Sequence, residues 1–280
     1  MIVDSHHHFW DPNHAEYPWM TGEYERLKRP FGPADLAPLL EASGVVKTIV
    51  VQARQELAET HSLLRTAAEC EWLGGVVGWV DLTDPGLAST VADIKDGPGG
   101  GALVGVRHLV HDEPDAQWLT RDDVMGGLET IAQAGLVYDL LVRPRELPAA
   151  TEAARLLPDL RFVIDHMAKP AISLGEFEPW AKRLQAIAAL PNVRCKISGL
   201  VTEADWDSWS RGDLERYVGM TVEWFGPNRI MWGSDWPVCT VAASYDEVLA
   251  VSRDLLEGIL GTDLSDVLGG CAMETYGVGP

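Results

Sequence analysis

The chain has 280 residues, of which 46% are hydrophobic and 23% charged, a composition typical of a globular protein with a large buried core. It carries 42 acidic and 22 basic side chains, and the resulting net charge of −20 disfavours nucleic acid and anionic membranes as partners. The four cysteines form no CxxC pair, which excludes zinc-finger spacing and a dense disulfide framework. Since the sequence shows neither a signal peptide nor an apolar segment of roughly 18–20 residues, we expect a cytoplasmic protein.

Short apolar runs alternate with amphipathic stretches along the whole chain. The runs predict strands at 2–3, 48–51, 76–80, 103–106, 136–142, 162–164, 193–197 and 230–232. The amphipathic stretches predict helices at 33–43, 56–72, 86–95, 146–157, 176–189, 211–225, 244–259 and 263–276, and a further helix after a capping box at 120–123. Eight such repeats in about 250 residues favour an α/β protein with a single-domain (β/α)8 TIM-type barrel over an open sheet. The glycine tract 97–101 has no following Lys-Ser/Thr pair, so it is predicted to be a flexible loop and not a phosphate loop.

In such a barrel the functional residues lie at the carboxyl ends of the strands. The first strand leads into three consecutive histidines, and because residues two apart share a face of a strand, His6 and His8 should converge while His7 points away. Six of the eight histidines lie at or just beyond strand ends, whereas His14 and His61 do not. The polar residues at the other strand ends are Gln52, Arg54, Arg107, His108, His111, Arg143, Asp165, His166, Lys169, Lys196, Ser198 and Asp235.

These residue types suit a metal site or an acid–base centre. Asp235 could be a metal ligand, or it could take a proton from water as a general base, with or without a metal. Three arginines could hold a carboxylate or hydroxyl groups, or stabilise an oxyanion: Arg54, Arg107 and Arg143. The residues suited to a divalent ion are His6, His8, His166 and Asp235.

Several of these residues also have plainer interpretations. Structural ion pairs would explain Arg143 and Lys196 equally well, and a solvated position would explain His111, which is followed by two acidic residues. Most of the 11 tryptophans are predicted to pack in the core. Trp10, Trp19 and Trp236 nevertheless lie near candidate residues in sequence, and the segment 17–19 could stack on a sugar-like ring.

Motifs along the whole chain together resemble one family. They are, in order, DSHHHFWDP, VVQAR, GVVGWVDL, GVRH, FVIDHMAKP, KISGL, MWGSDWP and GGCAMETYGV. This set resembles the metal-dependent hydrolase-like lactonases of the amidohydrolase superfamily, and within them the sugar lactonases that act on fuconolactone or rhamnonolactone. The resemblance implies a barrel that hydrolyses a small lactone to its hydroxy acid.

The resemblance also implies roles for the strand-end residues. Asp235 would deprotonate the attacking water, Arg107 and His108 would stabilise the oxyanion, and His166 or Lys169 would protonate the leaving alkoxide. The implied catalytic residues are Asp235, His166, His108 and Arg107, the implied substrate contacts are Gln52, Arg54, Trp19, Lys169 and Trp236, and the implied metal ligands are His6, His8, His166 and Asp235.

Two departures from the superfamily pattern bear on the cofactor. Arg107 and His108 stand where the fourth strand of two-metal members ends in a bridging Lys or Glu, and Arg143 stands where many members have a histidine. A two-metal site is therefore not expected, and one divalent ion, such as zinc, or none at all is consistent with this branch. Two other functions stay open: a metal-dependent non-oxidative decarboxylase of the same superfamily, and a non-catalytic barrel that binds sugar or metal. The intact Asp235 argues against the binder. The particular lactone and the oligomeric state are left open.

Overall fold

The computed structural model of the protein describes residues 1–279. Eight parallel strands form one sheet, and each strand pairs with the next along the chain. They are β1 (Ile2–His7), β2 (Val45–Val51), β3 (Leu73–Gly78), β4 (Leu103–His108), β5 (Val137–Leu140), β6 (Phe162–Ile164), β7 (Val193–Ile197) and β8 (Ile230–Trp232). Each predicted strand is present, and the (β/α)8 barrel is confirmed.

The helices surround this sheet. They are α1 (Pro33–Ser43), α2 (Leu57–Glu69), α3 (Leu87–Asp96), α4 (Asp122–Gln133), α5 (Leu147–Leu156), α6 (Trp180–Ala188), α7 (Leu200–Glu203), α8 (Arg211–Phe225), α9 (Tyr245–Leu260) and α10 (Cys271–Tyr276). The capping box predicted at 120–123 does not form, because the Thr120 hydroxyl donates to the carbonyl oxygen of Gln117. The last two residues of the glycine tract 97–101, predicted to be a flexible loop, lie in a short 3₁₀ helix, Gly100–Ala102. Within residues 1–279 no helix is both long and apolar enough to cross a membrane.

Side chains alternate between the barrel interior and the layer beneath the helices. The interior apolar cluster contains Val3, Ile49, Val51, Val77, Val137, Val163 and Met231, with Tyr276 of α10 packed against it. Neighbours in sequence, such as Val106, Tyr138 and Ile164, belong to the larger cluster between strands and helices. Since the period of a strand is two residues, Arg107 and Asp139 point into the barrel, and His108 points out.

The segment after β8 closes the barrel against β1. The Asp235 amide donates to the carbonyl oxygen of His6 at 2.8 Å, and the His8 amide donates to the carbonyl oxygen of Trp236 at 2.7 Å. A Cβ at Gly233 would lie 2.7 Å from the Cβ of His6, so only glycine permits this approach. The closure therefore holds the Asp235 side chain beside His6, in β1, and His8, which follows it.

Candidate active site

A cavity of about 470 Å³ opens at the carboxyl ends of the strands. Residues from four strand ends meet on its lining: His8 after β1, Arg107 of β4, His166 after β6 and Asp235 after β8. The remaining lining residues are Pro18, Trp19, Tyr24, Ala53, Leu109, His111, Asp112, Leu141, Arg143, Lys169, Thr202 and Val238. The position matches that of active sites in barrels of this class.

Three imidazoles converge on the Asp235 carboxylate. The Nε2 atoms of His6 and His8 lie 3.2 Å apart. Oδ1 of Asp235 lies 3.5 Å from Nε2 of His8, 3.8 Å from Nε2 of His6 and 4.0 Å from Nε2 of His166. His6 and His8 thus share one face of the chain, whereas His7 turns away and bonds the hydroxyl of Thr48 at 2.9 Å.

This donor set has the spacing of a divalent-metal site. Ligands of a tetrahedral zinc ion, bound at about 2.0–2.2 Å, lie about 3.3–3.6 Å from one another. The separations among His6, His8 and Asp235, from 3.2 to 3.8 Å, bracket that value. The other ring nitrogens have partners, since Nδ1 of His8 lies 2.8 Å from the carbonyl oxygen of Val51 and Nδ1 of His166 lies 2.9 Å from Ser198 Oγ. Such outer contacts leave Nε2 of His8 and His166 available as ligands, and these residues fit a divalent ion. Nε2 of His6 also lies 3.3 Å from Nη1 of Arg107.

Burial sets the charge of the cluster. Desolvation lowers the pKa of His166 to about 4 and holds the pKa of His6 well below its usual value, so both rings are neutral at pH 7. Burial opposes ionisation of Asp235, but His166, His8 and Lys169 together outweigh it, and its pKa lies below the ordinary value. The cavity floor therefore presents an ionised carboxylate beside the neutral rings of His6 and His166.

The backbone at two strand ends adopts an uncommon conformation. Four consecutive residues after β6, from His166 to Lys169, have φ between 50° and 59°, and Asp235 has φ of 58°. Non-glycine residues are uncommon in this left-handed region, and such conformations concentrate at functional sites. The turn brings both His166 and Lys169 to the cavity. Gly199 makes room for it, because a Cβ there would lie 2.6 Å from Nδ1 of His166.

The wall of the cavity carries both polar and aromatic side chains. Lys169 pairs with Glu203 at 2.6 Å, and the Trp19 indole donates to the carbonyl oxygen of Ala53 at 3.1 Å. His111, predicted to be solvated, instead lies in the wall with its side chain only 13% exposed. Burial lowers its pKa to about 3, so its ring is a neutral hydrogen-bonding group.

His108 lies outside the cavity, although the sequence suggested a catalytic role. It occupies the outward face of β4, where Nε2 contacts Oε1 of Glu113 at 2.7 Å and the indole of Trp79 donates to Nδ1 at 3.2 Å. Its ring stacks on Trp118 with centroids 4.2 Å apart. Both ring nitrogens of His108 are thus engaged in hydrogen bonds away from the cavity.

Three predicted substrate contacts also lie away from the cavity. Gln52 is fully buried, and its amide donates to the carbonyl oxygen of Arg107 at 3.2 Å, so it supports the neighbouring strand. Arg54 pairs with Glu56 outside the barrel mouth. Trp236 is 3% exposed and packs among aromatic side chains beneath the site. Trp19 and Lys169 do line the cavity, as does Arg143.

Two buried carboxylates without a predicted role, Asp139 and Asp165, lie directly below the site. Asp165 contacts Nδ1 of His6 at 3.2 Å and Nη1 of Arg107 at 2.9 Å, and Asp139 contacts Lys196 at 2.5 Å. The ion pair of Lys196 agrees with its plainer interpretation. Asp139 is the single acidic residue in the apolar run 136–142, and this was the one sign in the sequence of a buried polar role. Tyr24 also lines the cavity, and it belongs to a 3₁₀ helix, Gly22–Leu27, in the connection between β1 and β2. Because it does not follow a strand, the sequence gives no indication of this position.

Comparison with known proteins agrees with this architecture. The family model for amidohydrolase matches residues 3–278. L-fucono-1,5-lactonases of Burkholderia ambifaria and Burkholderia multivorans are 37% and 39% identical to the chain, over 98% of it and over 94% and 95% of their own lengths. A crystal structure of an amidohydrolase from Burkholderia multivorans with bound zinc superposes with a TM-score of 0.93 at 38% identity, covering 100% of both chains. The chain belongs to the amidohydrolase family.

Proposed function

We propose that the protein hydrolyses a sugar lactone of the fucono-1,5-lactone type to its hydroxy acid. The observation that carries this proposal is the ionised Asp235 carboxylate, which lies beside the neutral rings of His6 and His166 on the floor of a polar cavity. Two relatives named L-fucono-1,5-lactonase, at 37% and 39% identity over nearly the whole chain, support the choice of substrate class. Trp19 and Tyr24 offer aromatic faces to a sugar ring, while His111 and Arg143 offer polar groups to its hydroxyls.

The proposed reaction uses residues of this chain at each step. Asp235 takes a proton from water, whose oxygen attacks the lactone carbonyl carbon. Arg107, at the cavity floor, stabilises the negative charge that develops on the carbonyl oxygen. The ring C–O bond then breaks, and the leaving alkoxide takes a proton from Lys169. We prefer Lys169 to His166 as the donor, because pairing with Glu203 keeps Lys169 an ammonium while burial keeps His166 neutral.

A divalent ion is compatible with this site. His6, His8 and Asp235 would hold it, with His166 beside them, and zinc in the superposed Burkholderia multivorans structure supports that identity. When bound, such an ion polarises a carbonyl and lowers the pKa of coordinated water. Asp235 as base, Arg107 as the oxyanion contact and Lys169 as acid can act whether or not an ion is bound. We therefore propose that the ion assists the reaction but is dispensable.

The decisive experiment measures acid release from a panel of aldonolactones by the wild type and by Asp235→Asn. We expect the substitution to lower kcat by about 10²- to 10⁴-fold with KM little changed, because it removes the general base and leaves the cavity intact. Asp159→Asn, which changes an exposed carboxylate between α5 and β6, is the matched control and should keep full activity.

Running the same panel with a chelator separates the roles of Asp235 and of an ion. Turnover that survives chelation and is lost in Asp235→Asn supports a carboxylate base with a dispensable metal. Loss of turnover on chelation, restored by zinc, would make the ion obligatory. Absence of turnover with every lactone, together with CO₂ release from aromatic acids, would replace the lactonase by the decarboxylase.

A further inference from the structure

One buried carboxyl group holds the turn that follows β2, residues 52–55, which we call the β2 turn. Glu59, in the first turn of α2, has 7% of its surface exposed, and its Oε2 accepts hydrogen bonds from the amides of Ala53 at 2.9 Å and of Arg54 at 2.8 Å. Both amides lie beyond the end of the strand, where a single carboxyl oxygen satisfies them together. Glu59 therefore fixes the backbone of the β2 turn.

The β2 turn holds two parts of the cavity wall. The carbonyl oxygen of Ala53 accepts a hydrogen bond from the indole of Trp19 at 3.1 Å, and Oε1 of Gln55 accepts one from the amide of Leu109 at 2.9 Å. Trp19 belongs to the connection between β1 and β2, whereas Leu109 follows β4, and both line the cavity. A displacement of the β2 turn would therefore move both parts of the wall at once.

The same turn also holds the guanidinium of Arg107. Nη2 of Arg107 donates to the carbonyl oxygen of Gln52, and Nε2 of Gln52 donates to the carbonyl oxygen of Arg107 at 3.2 Å. Gln52 directly precedes the two amides that Glu59 holds. The other terminal nitrogen of Arg107, Nη1, donates to Asp165 at 2.9 Å. Loss of the Gln52 contact would leave the guanidinium anchored at Nη1 alone.

The hold of Glu59 depends on an oxygen atom and not on a charge. Burial raises the pKa of Glu59 to about 7, since desolvation outweighs the two amide hydrogen bonds. A protonated carboxyl group keeps an acceptor oxygen, as the side-chain amide of glutamine also does. We therefore expect the β2 turn to keep its position in either protonation state, and glutamine to replace Glu59 with little loss.

We infer that Glu59 is a positioning residue of the active site, which acts through the β2 turn on Trp19 and Arg107. The inference rests on the proposed lactone hydrolysis, in which Trp19 contacts the sugar ring and Arg107 the developing oxyanion. Glu59 itself is not among the residues that line the cavity, so its substitution removes no direct contact with substrate. Without it, two amides lose their acceptor, the turn relaxes, and both side chains lose their fixed positions.

Steady-state kinetics of three variants test this inference. Glu59→Ala should lower kcat/KM by about a hundredfold, through a higher KM and a lower kcat, because small displacements of site residues cost that much. Glu59→Gln should stay within about threefold of the wild type, because it keeps the acceptor oxygen. Asn192→Ala is the destabilising control. Its side chain donates to three carbonyl oxygens at 3.0 Å just before β7, at the end of the barrel opposite the cavity, and both constants should be unchanged.

Fluorine NMR of protein labelled with fluorotryptophan gives a second readout that needs no turnover. Trp19→Phe assigns the Trp19 resonance among the 11 tryptophans. We expect this resonance to shift or broaden in Glu59→Ala and to keep its wild-type position in Glu59→Gln and Asn192→Ala. A wild type that hydrolyses no lactone would defeat the proposed function, and the Trp19 resonance alone would then decide the inference.

Glu59→Asp replaces the alanine variant in both experiments if that variant does not fold, because its shorter side chain draws the oxygen away from the two amides. Loss of activity in Glu59→Ala or Glu59→Asp, restored in Glu59→Gln, supports the inference. Wild-type constants and an unmoved Trp19 resonance in the alanine or aspartate variant would overturn it. So would an equal loss of activity in Asn192→Ala, which would assign the effect to general destabilisation, or an equal loss in Glu59→Gln.

Discussion

His108 and His111 illustrate how position on a strand decides the surroundings of a residue. They are three residues apart, and both follow apolar residues of the same predicted strand. His108 ends on the outward face of β4 between Trp118 and Glu113, whereas His111 follows in a turn that enters the cavity. Because His111 lines the cavity with a neutral ring, and 13% of its side chain is exposed, the exposed part of the ring can contact a substrate hydroxyl.

We predict opposite effects for alanine substitutions of these two histidines. His111→Ala should lower kcat/KM about tenfold to a hundredfold, because it removes a hydrogen bond to substrate. His108→Ala should leave kcat/KM within about threefold while lowering the free energy of unfolding by about 1–3 kcal/mol, since it removes buried packing and polar contacts. Steady-state kinetics and chemical denaturation of both variants check the pair. The reverse pattern would return His108 to the active site.

The pKa values of the catalytic cluster predict the pH dependence of the reaction. Asp235 must be ionised, and its pKa is lowered; His166 must be neutral, and its pKa is about 4. We therefore expect kcat/KM to be level from pH 8 down to 5 and to fall only near and below pH 4. Separation of lactone from hydroxy acid by chromatography, corrected for spontaneous hydrolysis at each pH, measures the profile. An inflection between pH 6 and 7 would point to a histidine base instead.

At the scale of the elements, two helix starts that look alike in sequence differ in structure. Ser244 accepts a hydrogen bond from the Glu247 amide at 3.3 Å, and the Glu247 carboxylate accepts one from the Ser244 amide at 2.8 Å, so α9 begins with a capping box. Thr120 makes no such box at the start of α4, because a 3₁₀ turn at Trp118–Thr120 engages its hydroxyl.

This difference predicts different costs for equivalent substitutions. Ser244→Ala should lower the free energy of unfolding by about 1 kcal/mol, the usual loss when an N-cap is removed. Thr120→Ala should change it by less than about 0.5 kcal/mol, as expected for a surface residue without a capping role. Guanidinium denaturation of both variants gives the comparison, and neither should alter kcat. Equal losses at the two positions would show that the box at Ser244 contributes nothing measurable.

At the scale of the whole molecule, one buried carboxylate ties the first strand to the last. Asp4 of β1 accepts hydrogen bonds from the Ser234 amide at 2.9 Å, the Ser234 hydroxyl at 2.6 Å and the Tyr245 hydroxyl at 3.0 Å. Ser234 directly precedes Asp235, so the bonds that close the barrel also position the proposed base. Burial raises the pKa of Asp4 to about 6.

We predict that Asp4→Ala destabilises the barrel and weakens catalysis together. It leaves Ser234 and Tyr245 without their buried partner and should lower the free energy of unfolding by about 2–4 kcal/mol. Tyr245→Phe removes one of these bonds and should cost about 1 kcal/mol with little effect on kcat. Chemical denaturation measures the free energy of unfolding, and steady-state kinetics well below the unfolding temperature measure kcat. An Asp4→Ala variant of wild-type stability would show that closure depends on the backbone hydrogen bonds alone.

Local patterns in the sequence determined the fold and the centre of the site. The eight apolar runs depend on strand and helix periodicity, which is a property of neighbouring residues, and so the barrel could be predicted from them. The pairing of His6 with His8 follows from the two-residue repeat of a strand. Asp235 and His166 could be chosen because parallel strands bring their carboxyl ends to one edge.

Only the tertiary structure decided which other residues reach the cavity. The outward placement of His108 follows from the register of β4, and the inward placement of His111 follows from a turn beyond it. The ion pairs of Lys196 with Asp139 and Asp165 join β7 to β5 and to the segment after β6, and no local pattern relates these residues. Distances of this kind depend on the tilt and stagger of the closed barrel, which set contacts between residues far apart in the chain.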